Sequence, residues 1–248
     1  KIVKLQRRRK KVSRVRDDAQ LKLYSRILKG DFLHYGYFDN PETKPESISL
    51  NDIYRAQRRY AEILIEKIPD QRDEILDIGC GMGGLIPMLR EKNWRPVALT
   101  PDNTQMHYIS QKYPDLKKYH CKFEDIPEKE NAGRYGVLIT FESLQYLNLD
   151  QSLPLLHRIS KLDATWIACD YFRIGNKAEK SGHYWNEFLE KLKLYGWELT
   201  HEQDITPNIL PTMAYVYMWG NEIGRPVWDF AVEKFQVNQN LNYFSFQF

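Results

Sequence analysis

Asp77 lies two residues before the first of four closely spaced glycines, in the stretch Ile75-Leu76-Asp77-Ile78-Gly79-Cys80-Gly81-Met82-Gly83-Gly84-Leu85. A short apolar run that halts on glycines before an amphipathic stretch reads as strand, tight turn and helix. Glycine tolerates positive φ and lets a ligand lie against the main chain, so this turn suits a nucleotide-like cofactor. Gly79, Gly81 and Gly84 also satisfy G-x-G-x-x-G, the dinucleotide fingerprint. That reading requires an acid about 20 residues further on, at the tip of the next strand, to hold a ribose. The strand predicted over 95–99 ends instead in Thr100-Pro101-Asp102, with no carboxylate at its tip. Asp77 would also repel a pyrophosphate, and it suits a ligand carrying positive charge.

Two further residues are candidates for moving a proton. Glu142 follows the strand predicted over 135–141; an acid buried there would have a raised pKa and could take a proton from a substrate, or it could only orient neighbouring amides. His34, in the aromatic stretch Phe32-Leu33-His34-Tyr35-Gly36-Tyr37-Phe38, is a candidate base or a packing residue, and His183 is a poorer second. The remaining histidines show no metal-ligand spacing. Cys80, Cys121 and Cys169 form no C-x-x-C pair and read as reduced core residues of a cytoplasmic protein.

The pattern D-x-G-C-G-x-G-G resembles motif I of the class I S-adenosylmethionine (SAM)-dependent methyltransferases. The resemblance runs from about residue 30 to the C-terminus and is strongest over 74–147. It implies an α/β, Rossmann-like seven-stranded sheet of order 3-2-1-4-5-7-6 with helices on both faces, an N-terminal helical lid and a helical insertion before the last strand. It implies that Asp77 and Gly79 contact the methionine portion of SAM, with Gly81 and Gly83 making room for it. Thr100-Pro101-Asp102-Asn103-Thr104-Gln105 resembles the turn of the branch that holds cyclopropane synthases and terpenoid or other natural-product methyltransferases; there Thr100 and Gln105 would bind the ribose, or merely cap the next helix. Phe123-Glu124-Asp125-Ile126-Pro127 resembles the acidic turn beside the adenine, with Glu124 or Asp125 accepting its amine, or serving only as a solvated loop. Residues 139–147, with Thr140 as a cofactor contact, resemble the segment beneath the transferring methyl, and Tyr146 stands where many relatives have histidine. Tyr35 and Tyr37 match the branch's N-terminal lid, where ring faces favour a sulfonium.

These residues must be positioned by strands and helices in alternation. Strands are expected at 74–78, 95–99, 118–123, 135–141, 164–171, 197–205 and 241–248, and the alternation up to 171 implies a parallel sheet with ligands at the carboxyl ends of its strands. A helix is expected from Asp17 to Gly30. Ser49 and Asp52 form a capping box for another, and a third spans 183–195 and stops at Gly196. Residues 1–16 form a basic tail. Residues 17–248 form one domain, with a helical cap over 17–70 and a segment over 207–240 that is either a substrate lid or a packing pair of helices.

Composition bounds the function. Of 248 residues, 42% are hydrophobic and 28% charged, which places the chain among globular proteins rather than disordered ones. No apolar run approaches the roughly 20 residues of a membrane span, and there is no signal-peptide pattern, although the sequence starts at Lys1 rather than Met. Net charge is only +3, yet the first sixteen residues hold nine basic side chains and no acid, a cluster that attracts an anionic membrane or nucleic acid, or is a solvated tail. The expectation is a SAM-dependent methyltransferase acting on carbon, nitrogen or oxygen of a small, apolar acceptor such as a terpenoid or lipid, with S-adenosylhomocysteine as product and no metal. The alternatives are a nucleic-acid methyltransferase recruited by the tail and a non-catalytic SAM-binding subunit. The oligomeric state is left open.

Overall fold

The computed structural model describes residues 30–69, 73–174 and 182–239, with side chains to 234. The basic tail, the helix expected over 17–29 and the strand expected over 241–248 lie outside the described residues. Five strands, β1 (Glu74–Ile78), β2 (Arg95–Leu99), β3 (Lys118–Tyr119), β4 (Tyr135–Phe141) and β5 (Ser160–Cys169), form a parallel sheet of order β3-β2-β1-β4-β5. This is a Rossmann-like α/β sheet of the kind the sequence implies, with the expected order across these five.

Burial on both faces explains the apolar runs. Leu76, Ile78, Leu138, Val97 and Leu99 face one layer, where they meet α5 (Leu149–Ile159) and α6 (Trp185–Leu194). Ile75, Val137, Ile139 and Phe141 face the other, against α1 (Leu50–Ile65) and α2 (Leu85–Glu91). Alternate residues along a strand point to opposite faces, so Asp77 shares its face with Ile75, and Thr140 shares its face with Leu138. Each fully buried Leu or Ile contributes roughly 1.5–3 kcal/mol. α3 (Asn103–Lys112) covers the outer part of the sheet through Ile109, joined by Leu116 from the turn that follows it, and α4 (Glu128–Asn131) is a single turn.

Three expectations change. The third strand covers only Lys118–Tyr119 rather than 118–123: at the sheet edge it has one partner, and Phe123–Asp125 turns into a 3-10 helix instead. Residues 197–205 form no strand. Their polar side chains, Glu198, Thr200, His201, Glu202, Gln203 and Asp204, are exposed, and no described strand pairs with them. The seven-stranded order is therefore replaced, among the described residues, by five strands and a separate parallel pair, β6 (Phe172–Arg173) with β7 (His183–Tyr184).

The segment expected as a lid over 207–240 is helical: α7 (Thr206–Trp219), a π-helical turn (Gly220–Gly224) and α8 (Arg225–Gln239). Only its first turns pack onto the body, through Pro211 and Thr212, while Met213, Val216, Tyr217, Trp228 and Phe230 are exposed. Among the described residues, no helix is long and apolar enough to cross a membrane.

Candidate active site

The glycine turn folds tightly at the tip of β1. Gly79, Gly81 and Gly83 adopt φ of 79°, 56° and 84°, the left-handed region that side chains avoid. The Gly79 and Cys80 amides donate to Leu99 O (2.9 and 3.1 Å) and the Gly83 amide to Cys80 O (2.9 Å), so these N–H groups hold the turn itself. Absence of side chains serves packing too. A Cβ at Gly79 would strike Ser143, one at Gly83 would stand 2.6 Å from Ile86, and one at Gly84 would strike Phe32. Gly83 thus makes room for the adjoining helix, whereas a Cβ at Gly81 would meet only Leu33, at ordinary contact distance.

Asp77 is 2% exposed. Burial alone pushes its pKa up to about 7, and among the described residues no hydrogen bond or neighbouring cation opposes it. A carboxylate held this way gains from a cationic ligand, which would supply the missing counter-charge.

Thr100 and Gln105 are brought together: Thr100 Oγ1 donates to Gln105 Oε1 at 2.6 Å. Asp102, not either of these, caps α3 by accepting from the Gln105 amide. Glu124 is turned away from the strand tips, accepting from Asn148 N and Ser152 Oγ, both at 2.9 Å, and so tying the turn after β3 to α5. Asp125 is exposed with no such task. Thr140 is fully buried and accepts from the Trp166 indole at 3.1 Å. Its strand position places it on the face opposite Asp77.

Residues 31–38 form an extended strap, not a helix, across these elements. Asp31 accepts from Tyr108 (2.6 Å) and pairs with Lys112 on α3. Gln57 of α1 donates to His34 O at 2.7 Å, and Tyr37 N donates to Ala56 O. On the other side Thr212 of α7 accepts from Gly36 N (3.1 Å) and donates to Gly36 O (3.0 Å), while Phe38 and Asn208 exchange backbone and side-chain bonds. A Cβ at Gly36 would lie 2.6 Å from Ala56 Cβ, so only glycine fits between the two helices.

The strap ends at Glu142. Tyr35 N lies 3.4 Å from Glu142 Oε1, and Tyr35 itself is exposed while Tyr37 packs into the core. Glu142 has φ of 52°, a conformation costing of order 1 kcal/mol or more for a non-glycine residue, of the kind that collects at functional sites. Burial, together with the nearby Asp170 carboxylate and despite the Tyr35 amide, pushes its pKa up to about 8. Asp170, one residue past β5, is raised by burial although it accepts from Gln145 N and Tyr171 N. No sequence signal marks it, because it falls inside an expected strand.

His34 is stacked between rings, 4.1 Å from Phe141 and 4.9 Å from Phe32. Burial lowers its pKa to about 4, and its Nε2 has no hydrogen-bond partner among the described residues, so it is a neutral imidazole. Tyr146 is 80% exposed, outside the buried part of the site, although partial burial, followed by the nearby Asp170, Tyr171 and Glu142, raises its pKa. His183 bonds Leu144 O at 2.9 Å and holds the loop after β4. Among the described residues no group of three metal-ligating side chains occurs.

No family model matches the chain, and no curated protein matches it. Solved structures do. Geranyl diphosphate C-methyltransferase from Streptomyces coelicolor A3(2), crystallised with Mg2+, geranyl diphosphate and S-adenosyl-L-homocysteine, superposes with a TM-score of 0.65 at 19% identity, over 81% of this chain and 83% of that one. An O-methyltransferase from a trans-AT polyketide synthase of Brevibacillus brevis, with S-adenosyl-L-homocysteine, gives 0.63 at 18% identity over 85% and 79%. The [4+2]-cyclase SpnF gives 0.63 at 14% identity over 82% of each chain. The chain has the Rossmann-like fold that these structures share.

Proposed function

We propose that this chain is a SAM-dependent methyltransferase acting on a small acceptor bound at the tips of β4 and β5. The observation that carries the reading is Asp77: a carboxylate buried at the tip of β1, beside a turn of three positive-φ glycines, with burial, among the described residues, as the influence that raises its pKa. A dinucleotide pyrophosphate would worsen that burial, whereas the α-ammonium or sulfonium of SAM relieves it. Relatives of the same fold crystallised with S-adenosyl-L-homocysteine support the choice of cofactor.

Asp77 and the Gly79–Gly81 backbone would hold the methionine portion, the Thr100–Gln105 pair the ribose, and Asp125 the adenine amine, since Glu124 is already engaged. Tyr35 and Tyr37 on the strap would flank the sulfonium. Once bound, SAM supplies an electrophilic methyl group and leaves as S-adenosylhomocysteine. The protein's own contribution is to hold the acceptor in line and keep water out, the main source of acceleration open to such a site. Glu142 would take the acceptor's proton, and His34, neutral and enclosed by rings, would shape the wall rather than act as the base. The exposed Tyr35 and Tyr146, with Phe141 within, give the mouth an aromatic lining that suits an acceptor with an apolar body such as a terpenoid or polyketide. A nucleic-acid acceptor would depend on the basic residues of 1–16.

Calorimetric titration with S-adenosylhomocysteine and, separately, NAD tests the cofactor. Micromolar affinity for the first alone is expected. Affinity for NAD alone would overturn the roles given to Asp77, Thr100, Gln105 and Asp125, and the methyl transfer with them.

A further inference from the structure

Glu142 and Asp170 stand side by side. β4 and β5 run parallel with Phe141 opposite Cys169, and the Glu142 amide donates to Cys169 O at 2.7 Å; each acid is therefore the first residue beyond its strand, at adjacent tips. Their charges reach the same neighbours: Asp170 acts on Glu142, both act on Tyr146, and both act on Tyr60 beneath them. Among the described residues, burial, the Tyr35 amide and Asp170 act on the ionisation of Glu142, and no lysine or arginine offsets the two charges there. Two carboxylates this close cannot both remain ionised cheaply without a cation between them.

The surroundings match a cation. Asp170 uses one lone pair on each oxygen, for Gln145 N (3.0 Å) and Tyr171 N (2.8 Å), which orients the carboxylate and leaves acceptor capacity on both. Three exposed tyrosines adjoin the pair: Tyr35, whose amide meets Glu142, Tyr146, which feels the charge of both acids, and Tyr171, whose amide meets Asp170; ring faces attract ammonium groups by about 0.5–2 kcal/mol each. Beneath Glu142, the His34 ring packs on Phe141 with its buried Nε2 lacking a partner among the described residues, a neutral acceptor rather than a competing positive charge. Among the described residues the positive influence on the pair is that of His183 on Asp170; an anionic acceptor would otherwise meet two carboxylates here.

We infer that the acceptor of this site is a primary or secondary amine, bound as its ammonium ion between Glu142 and Asp170 with its apolar body against the tyrosines. This deepens the methyltransferase reading and rests on it for the fate of the amine. The chain's own step is a proton transfer: an ammonium N–H bond breaks, its electron pair stays on nitrogen as the nucleophilic lone pair, and the proton passes to the Glu142 carboxylate. Substrate and acid both become neutral, while Asp170 remains ionised to hold the amine in place.

The test uses phenethylammonium chloride and its neutral counterpart 2-phenylethanol, titrated into the full chain with and without saturating S-adenosylhomocysteine. The ammonium should bind at least tenfold more tightly than the alcohol. Asp170→Asn should remove most of that preference while leaving S-adenosylhomocysteine affinity within threefold. Tyr146→Ala, at an exposed position, should weaken the ammonium about threefold and the alcohol less. With labelled SAM, the amine and not the alcohol should accept the methyl group. Equal affinity for the two probes, or a preference that survives Asp170→Asn, overturns the amine assignment. Failure of S-adenosylhomocysteine to bind while the ammonium preference persists overturns the methyltransferase reading instead.

Discussion

The two halves of the sheet's carboxyl edge are built differently. Around β1 and β2 the polar groups are paired within the protein: the turn amides bond Leu99 O, Thr100 bonds Gln105, and Asp102 caps α3. Of the polar groups in that half, Asp77 has no such support among the described residues. Around β4 and β5 two acids stand together, one of them on a strained backbone, with exposed phenols about them. The first half is a preorganised cradle for a ligand of fixed structure. The second is a charged, rearrangeable surface, and its chemistry should be the more sensitive to substitution.

The widest gap between the halves should appear with Glu142→Gln. Loss of a general base typically costs 10²–10⁴-fold, so kcat/KM should fall by about 10³ while S-adenosylhomocysteine affinity, measured by calorimetry, stays within threefold. A matching loss of affinity would mean the halves are one site. The converse substitution, Asp77→Asn, should lower S-adenosylhomocysteine affinity by about 100-fold, in keeping with loss of a buried charge partner. It should also stabilise the unliganded fold. The Asp77 pKa is raised on folding from its ordinary 3.8 to about 7, so the folded state favours the proton and stability is lost as pH climbs between those values. The variant should therefore be more stable than the parent at pH 8, by roughly 2 kcal/mol or more, and this advantage should vanish at pH 3, where Asp77 is protonated in both the folded and the unfolded chain. An unchanged difference across that range would remove Asp77 from the buried cradle.

Between pH 6 and 8 the acceptor half should declare itself through rate. Glu142 titrates near 8, facing Asp170 from β5, the Tyr35 amide from the strap, and Tyr60 and Cys169, which burial keeps protonated. kcat/KM should climb about tenfold per pH unit toward 8 and then level, and Glu142→Gln should flatten that limb. A limb of the same slope in the variant would assign it to the substrate. The smallest effect should come from Gly36→Ala. The new methyl meets Ala56 and Thr212, an overpacking worth about 1–3 kcal/mol, seen as a lower denaturation midpoint with little change in ligand affinity.

The same contrast explains what the sequence made legible. β1, β2 and β4 are predominantly apolar, and the Ser49–Asp52 box and Gly196 stop are local signals, so these elements appear where pattern places them. The run Trp197-Glu-Leu-Thr-His alternates like a strand, but alternation specifies a half-buried ribbon only when a neighbour pairs with it, and none of the described strands does. At the site, glycine spacing marks the turn, whereas the duties of Glu124 and Thr140 depend on Ser152 and Trp166, partners 28 and 26 residues away. Asp170 is invisible in the sequence for a similar reason. Its importance comes from lying beside Glu142 across two strands, a relation that exists only once their register is fixed.

Thr212 and Gly36 are 176 positions apart, and their reciprocal bond has a consequence for the order in which the molecule assembles. The strap over the active edge is made early in synthesis, yet it cannot seat between α1 and α7 until nearly all of the described chain has been made. Long-range closures of this kind carry the greatest entropic cost and form late. The sheet, whose pairings are closer in sequence, can be complete while its edge is still open, so binding competence should lag behind the appearance of secondary structure during refolding.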